Sequence, residues 1–554
     1  MKTVLGFFVS KNECIAHNGD RYKQLKEGEF ILDFLIKYEN YINCFYNLSY
    51  NVACILSKCN LGEDKLKKLY TDQKVQVRDY QITYISGRYF AIKRGDDYNA
   101  PYVQFCDVSQ YIPWMSVDEN FALEYVLSKA KEAQDTGKQV YDALVNLGLS
   151  PDKGMVSPIR VYEKEVLSKL SLPTYKDMPI EAASLAYECC KSGWVEAFKK
   201  GHFEQTIDYD RSSSYGAGLA ELIDIRLGKW WESQIYEPTA DYGYLAGEIT
   251  VDVDFAPFIF SIDDGEDAEH YSVVGTWDFN LTKDTLVTNE DGMKQIIYRK
   301  TPYCITKKQY EVLLKYKLGE VKIYNAWWFK ADKYEYPYRD MVNNLYEAKE
   351  KASGMGRDIP KKIIVGIFGK SLEKRDKGFA QWFNPCYGAE VEMNTKLQVF
   401  EDCMANNVVP LSIAVDGILV DKPMDLRMDQ WMGSWKKSFE GKALVVSSGV
   451  VAVEGNNPTR NFSLDYEWWI DKIKESPESN KYSKDGISGV SLEKAVNKVE
   501  LSKLGTVETA MRTIDVGYEN KRCYFDVPIT GQDLLENTYE SVSWDISHFA
   551  IDKQ

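Results

Sequence analysis

The sequence predicts an α+β protein of several domains. Three observations carry that expectation. Stretches of strand-like alternation are interspersed with stretches of helical period, no segment repeats another, and the chain runs to 554 residues. That length is well beyond the roughly 250–300 residues at which a single hydrophobic core stops growing.

The elements follow in order along the chain. In residues 1–190, "YQITYISGRYFAIKRG" (80–95) alternates as strands do, whereas "ALEYVLSKAKEAQ" (122–134) has the period of a helix. Residues 203–209 alternate as a strand and 217–227 read as a helix, with serines at 212–214 able to cap it. From about 229 to 330 strands and turns dominate, with the acidic loop "DDGEDAE" at 263–269. Residues 338–371 predict a helical hairpin broken around "ASGMGRDIP". An amphipathic helix at 389–405 leads into the hairpin-like "PLSIAVDGILVDK". The tail from about 460 reads as helical and lysine-rich, with a loop at 475–489.

Composition narrows the function classes. Hydrophobic residues make up 44% and charged residues 27%, as in ordinary soluble globular proteins. No apolar run approaches a membrane span and no signal-peptide pattern opens the chain. The 11 cysteines are scattered, and the pairs Cys54/Cys59 and Cys189/Cys190 lack zinc-site spacing. With four histidines (His17, His202, His270, His548) far apart in sequence, a Cys/His metal site or a histidine triad is not expected. Reduced thiols fit a cytoplasmic location. The net charge of −15 excludes a histone-like basic coat but not a nucleic-acid enzyme, which needs a basic groove and not a basic total. Lysine and arginine do cluster at 361, 362, 370, 374, 375 and 377, and again at Lys436 and Lys437, although a solvated helix face produces the same pattern.

Three stretches offer chemistry. "KKIIVGIFGKS" (361–371) ends like a phosphate-binding P-loop, but the position that should carry the early glycine is Ile364. An ATPase loop is thereby disfavoured. Read as a helix, Lys361, Val365 and Phe368 fall on one face, where a lysine can meet phosphates beside an aromatic ring; a core helix with a snorkelling lysine is the plainer alternative. Upstream, a strand delivers Asp208 and Asp210 to the same side of a sheet. Downstream, Asp416-Gly417 lies between two short apolar strands, and Asp-Gly is also an ordinary hairpin turn signal that recurs at Asp291-Gly292. Carboxylates from two distant strands, with few histidines, are the hard-oxygen donors that Mg²⁺ takes. Such ions can activate a 3′-hydroxyl and stabilise leaving pyrophosphate.

In that order the stretches resemble the family B DNA polymerases, in particular the protein-primed branch of bacteriophages and linear plasmids. "DRSSSYG" (210–216) is similar to the first palm motif, Asp-x-x-Ser-Leu-Tyr-Pro, "KKIIVGIFG" (361–369) to the fingers motif, Lys-x-x-x-Asn-Ser-x-Tyr-Gly, and "AVDGI" (414–418) to the catalytic hairpin, Tyr-x-Asp-Thr-Asp-Ser. "SGWVEAFKKG" (192–201) resembles the Gly-Gly stretch between the exonuclease and polymerase halves, and "CFYNLSYNVACIL" (44–56) the second exonuclease motif. The resemblance implies a right-hand polymerase with an N-terminal RNase H-like exonuclease-type domain at 1–190. It implies a palm at 191–335 and 381–450, fingers at 336–380 and a thumb at 451–554. It further implies that Asp210 and Asp416 hold Mg²⁺ or Mn²⁺ and perform catalysis, that Lys361 binds the triphosphate, that Tyr215 selects the sugar and that Phe368 faces the base pair. The implied partners are template–primer DNA, dNTPs and a terminal protein as primer, with no membrane, in a host cytoplasm if the chain is viral.

The departures from the family pattern carry expectations of their own. Val365 and Gly366 replace Asn-Ser, Ala414 replaces the first hairpin aspartate, and "VVSSGVVAV" (445–453) lacks the primer-holding lysine and tyrosine. Asn51 stands where the exonuclease motif has an aspartate, and "LGFFVSKNE" (5–13) offers no Asp-x-Glu pair, so the exonuclease-like domain is expected to be a degenerate scaffold. These losses keep open a polymerase-derived protein that binds nucleic acid or a replication partner without turnover. Retention of both Asp210 and Asp416 favours the enzyme.

Overall fold

The computed structural model describes residues 2–549 apart from 88, 98–99, 112–121, 154, 156, 192, 266–267, 289–293, 376–377, 456–464 and 498–499. The chain forms two compact units. One comprises Met1–Ser171, Glu347–Ile363 and Ser483–Arg512, the other Leu172–Tyr346, Ile364–Tyr482 and Thr513–Gln554.

In the first unit, the strands β1 (Val4–Val9), β2 (Cys14–His17), β3 (Tyr22–Gln24), β4 (Ile42–Phe45), β5 (Lys74–Val77), β6 (Tyr80–Ile85), β7 (Tyr89–Arg94) and β8 (Tyr102–Asp107) form one sheet in the order β3-β2-β1-β4-β8-β7-β6-β5. β1, β4 and β8 run parallel. β1 and β4 are buried at every residue, which is why "VLGFFV" and "INCF" read as near-continuous apolar runs, whereas edge strand β5 alternates exposed and buried. Stacked Phe45 and Phe105, with centroids 4.6 Å apart, sit at the middle of this core. The first five sheet positions, β3-β2-β1-β4-β8, have the RNase H-like arrangement. Helices α1 (Leu48–Lys58) and α2 (Leu123–Asn146) pack on β1.

The second unit is built on β9 (Val195–Ala197), β10 (Lys199–Arg211), β11 (Ser412–Ala414), β12 (Gly417–Val420), β13 (Trp435–Ser447) and β14 (Val450–Val453), ordered β14-β13-β10-β12-β11-β9. Cys523–Tyr524 and Thr538–Val542 complete an eight-stranded sheet among the described residues. Residues 228–331 form most of a second sheet, joined by Trp544–Asp545. Four further helices matter to the site: α3 (Ser214–Ala220), α4 (Arg339–Glu350), α5 (Met355–Ser371) and α6 (Pro385–Ala405). Met393, Leu397 and Phe400 of α6 share one core with Trp194, Trp277, Trp328, Ile413 and Ile418. Burial of such side chains contributes roughly 1.5–3 kcal/mol each and fixes the sheet that carries the site.

Several expectations need correction. The helix expected at 217–227 is α3, which starts earlier and ends at Ala220. Its N-cap, Ser213, adopts φ 51° and makes no side-chain cap bond. Gly216 and Gly218 weaken helical propensity, so α3 persists through packing: a Cβ at Gly218 would lie 3.2 Å from the Val391 Cα of α6. The strand-rich region also contains a helix, Lys307–Tyr316, started by a Thr306/Gln309 capping box. The tail is less helical than expected. Lys481–Gly489, read as a loop, pairs with Val507–Asp515, and Thr538–Val542 joins β10. The "KYSKDGISG" strand has no apolar alternation in its sequence to betray it. Asp291-Gly292, Lys377, Ser192 and part of the 263–269 loop lie outside the described residues. Among the described residues no helix is long and apolar enough to cross a membrane.

Candidate functional site

β10 brings Asp210 to the end of its long run beside the β11–β12 hairpin. Asp210 pairs with Gly417, and the Arg211 amide donates to the Asp416 carbonyl at 2.9 Å. Asp210 on β10 and Asp416 at the tip of the β11–β12 hairpin are therefore one register step apart across neighbouring strands, which lie about 4.8 Å apart with a rise of about 3.4 Å per residue. Residues 206 positions apart in sequence, 210 and 416, meet in one sheet. Asp208, two residues earlier, opposes Leu419 and Phe439.

The hairpin turn is not centred on Asp416-Gly417, as the Asp-Gly signal suggests. Ala414 pairs with Gly417, so Val415 and Asp416 are the two turn residues and Gly417 begins β12. Val415 takes φ 62°, a strained conformation for a β-branched residue. Tertiary contacts override the local preference. The Val415 amide donates to the Trp194 carbonyl at 2.7 Å, and Gly193 leaves room for its side chain: a Cβ there would sit 2.6 Å from Val415 Cγ2. β9, which follows directly, pairs with β11. Gly193 and Trp194 thus brace the hairpin tip that carries Asp416.

Tyr215 lies in the first turn of α3 and stacks on Phe368 of α5, centroids 4.5 Å apart and planes 7° from parallel. Burial, then the carboxylates of Glu392 and Asp416, pushes the Tyr215 hydroxyl up to about 12, so it stays protonated at neutral pH. Lys361 is exposed on the same helix as Phe368, seven residues earlier and hence on the same face. The structure places Asp210, Asp416, Tyr215 and Phe368 in the second unit, while Lys361 belongs to the part of α5 assigned to the first. The P-loop alternative fails on conformation. Gly369-Lys370-Ser371 are the last helical residues of α5, Lys370 pairs with Glu373 at 2.5 Å, and the Ser371 hydroxyl donates to the Phe368 carbonyl at 2.7 Å.

Several neighbours were not singled out by the sequence motifs. Lys436 of β13 opposes Asp210 and pairs with it, Nζ to Oδ2 at 2.9 Å. The buried Arg211 donates from Nε to the Gly433 carbonyl at 3.0 Å and from Nη1 to Ser214 Oγ at 3.2 Å, tying the strand end to α3 and to the loop before β13. The Ser212 backbone joins the same loop: the Gly433 amide donates to the Ser212 carbonyl at 2.7 Å, and the Ser212 amide donates to the Ser434 carbonyl at 2.8 Å. Glu392 of α6 is buried, pairs with Lys396 at 3.5 Å and accepts from the Lys191 amide at 2.9 Å. Lys436 stood out only as part of a basic pair. Its role depends on strand register, which no local pattern encodes.

The donor set suits a hard divalent cation. The two aspartates that the register brings close would offer such an ion hard oxygen ligands. Among the described residues no group of three or more His, Cys, Asp or Glu is arranged to hold a metal.

The motif departures have structural counterparts. Asn51 is fully buried in α1, accepts the Val9 amide at 2.6 Å and donates to the Asn47 carbonyl at 2.6 Å. An amide that braces β1 against α1 thus stands where the exonuclease motif has a metal-binding carboxylate. In the 445–453 stretch, Val445, Val446 and Ala452 are wholly buried, so this hairpin feeds the core.

The fold has counterparts among solved structures. Phi29 DNA polymerase complexed with primer-template DNA (post-translocation binary complex) is 11% identical at a TM-score of 0.63, covering 93% of this chain and 100% of that one. The phi29 ternary complex with primer-template DNA and incoming nucleotide substrates is 10% identical at a TM-score of 0.60, with the same coverage of 93% and 100%. The orthorhombic crystal form of phi29 polymerase gives 11% and 0.62, again over 93% and 100%. The chain thus has the fold of a protein-primed family B polymerase, a right hand with an RNase H-like exonuclease-type domain. No protein-family model and no curated protein matches the sequence.

Proposed function

We propose that this chain is a template-directed DNA polymerase, transferring a nucleotide from a dNTP to a primer 3′-hydroxyl with release of pyrophosphate. The observation that carries the reading is the register that sets Asp210 beside the Asp416 hairpin, in a fold shared over 93% of the chain with a DNA polymerase. When bound at these two carboxylates, Mg²⁺ or Mn²⁺ would acidify the 3′-hydroxyl and offset charge on the triphosphate. The protein's own groups orient the reactants. The flat Tyr215–Phe368 pair gives the nascent base pair and sugar a rigid wall, with Tyr215 against the sugar where a 2′-hydroxyl would clash. Lys361, exposed on the same helix face as Phe368, meets the triphosphate.

In this reading residues 191–335 and 381–450 are the palm, 336–380 the fingers, 451–554 the thumb and 1–190 the exonuclease-like domain. Asn51, occupied by structural bonds, supports the loss of 3′–5′ proofreading. A terminal protein is proposed as a primer, docking on the strand-rich 228–331 region, and the host cytoplasm as the location for a viral or plasmid-encoded enzyme. DNA held through its phosphates should dissociate steeply with added salt.

Ala414, Val365 and Gly366 favour a second reading, a polymerase-derived DNA-binding protein without turnover. Elongation of a labelled primer on a template, with Mg²⁺ or Mn²⁺ and four dNTPs, separates the two. The enzyme reading expects extension that disappears in Asp416→Asn. Tight DNA binding with no extension from DNA, RNA or protein primers would establish the second reading instead.

A further inference from the structure

Asp210 lies between Gly417, which has no side chain, and Lys436, whose ammonium sits 2.9 Å from its Oδ2. Of the other basic groups nearby, Lys437 pairs with Glu440 at 2.6 Å, and the buried Arg211 bonds Gly433 and Ser214 while its charge acts on Asp402 and Asp416 and not on Asp210. The pair is partly open to solvent, with side-chain exposures of 51% for Lys436 and 31% for Asp210. Such ion pairs are weak and readily exchanged. At Ala414 the hairpin also carries a methyl group where the resembled motif has a carboxylate, so the ammonium acts on a site with little negative charge to spare.

Resting on the polymerase reading, we propose that Lys436 is a placeholder cation for Asp210. It holds the carboxylate in the nucleotide-free state, and an incoming divalent cation must displace it. A divalent ion bound to both Asp210 and Asp416 outcompetes a single ammonium, but each ion that enters alone loses affinity to the competition. The displaced Lys436 is left beside the incoming triphosphate, whose oxygens give it a new partner. Metal and nucleotide therefore favour each other's entry, and free metal is held loosely.

The test is Mn²⁺ binding to the full chain without nucleotide, followed by calorimetry and by the electron-spin signal of free Mn²⁺, in wild type, Lys436→Met, Lys436→Gln and Lys436→Arg. Lys436→Met and Lys436→Gln should each bind Mn²⁺ about three- to fivefold more tightly, the range expected for release of an exposed ion pair. Lys436→Arg should stay near wild type, and the gain should shrink as salt rises. Two uncharged variants guard against a folding defect in either, and circular dichroism checks both. Unchanged or weaker binding in the uncharged variants overturns the placeholder role while leaving the metal site intact. No Mn²⁺ bound by any of the four chains overturns it together with the metal chemistry proposed above.

Discussion

Tyr215 and Phe368 lie face to face, with ring centroids 4.5 Å apart and planes 7° from parallel. The two rings belong to residues 153 positions apart in sequence, 215 and 368, and the charges of Glu392 and Asp416 reach the Tyr215 hydroxyl. Aromatic pairs of this kind contribute about 0.5–1.5 kcal/mol beyond the area they bury. Phe368→Ala should therefore lower stability by about 0.5–1.5 kcal/mol and, by removing the wall beside the base pair, raise KM for dNTPs roughly 3- to 10-fold. Tyr215→Val should raise ribonucleotide incorporation relative to deoxyribonucleotide. Steady-state incorporation with matched dNTP and rNTP pairs checks both, and unchanged discrimination in Tyr215→Val removes the sugar-selecting role.

The hairpin brace is expected to be intolerant of a single methyl group. A Cβ on Gly193 would meet Val415 Cγ2 at 2.6 Å. Gly193→Ala should cost about 1–3 kcal/mol, as overpacking does. Adding Val415→Ala removes the clashing methyls and should recover much of that loss. A double-mutant cycle by urea denaturation measures the coupling, expected at about 1 kcal/mol or more.

Asn51 should not be convertible to a working exonuclease ligand. Asn51→Asp keeps the acceptor for the Val9 amide but loses the donor to Asn47, and buries a charge. It is expected to lower stability by about 2–5 kcal/mol without producing 3′–5′ degradation of a labelled single strand. Efficient shortening by the variant would show that the scaffold retains a latent nuclease centre.

Lys200, near the start of the strand that carries Asp210, gives a pH signature. It is fully buried, donates to the carbonyls of Val516 at 3.4 Å and Tyr518 at 2.9 Å, and burial lowers its pKa to about 8 against the partial opposition of Glu519 and Asp515. An unfolded lysine titrates near 10.5. Between about pH 8 and about pH 10 the unfolded chain holds the extra proton, so stability rises with pH through that window; below it both states are protonated and the cost of burying the ammonium is fully present. Buried thiols such as Cys106 and Cys403, whose pKa burial raises, oppose this rise, so it is read as a difference: wild type should gain about 1–3 kcal/mol relative to Lys200→Met across that window in urea titrations.

Much of this was legible in the sequence. Alternation around Asp208 and Asp210 marked β10, the break at "ASGMGRDIP" marked the α4–α5 hairpin, and the apolar pair around Asp416 marked β11 and β12. What escaped depends on partners distant in sequence. The turn shifted by one residue because Trp194 and Gly193 hold Val415 in a conformation that a local Asp-Gly rule gives to glycine. Lys436 acquired its partner through strand register, and the tail strands were hidden because "KYSKDGISG" has no apolar alternation to mark it. Motif order found the strands that carry the site, whereas its electrostatics required the neighbours.

The most direct measurement of the central claim is incorporation of one nucleotide at the end of a primed template, in Mg²⁺, on four templates that differ only in the templating base. The account expects wild type to add the complementary nucleotide in each case. Asp210→Asn and Asp416→Asn should fall by more than about 100-fold, beyond what loss of an outer-shell group costs, while binding the same DNA with unchanged affinity. Incorporation that ignores the template, or that survives either substitution, would contradict it.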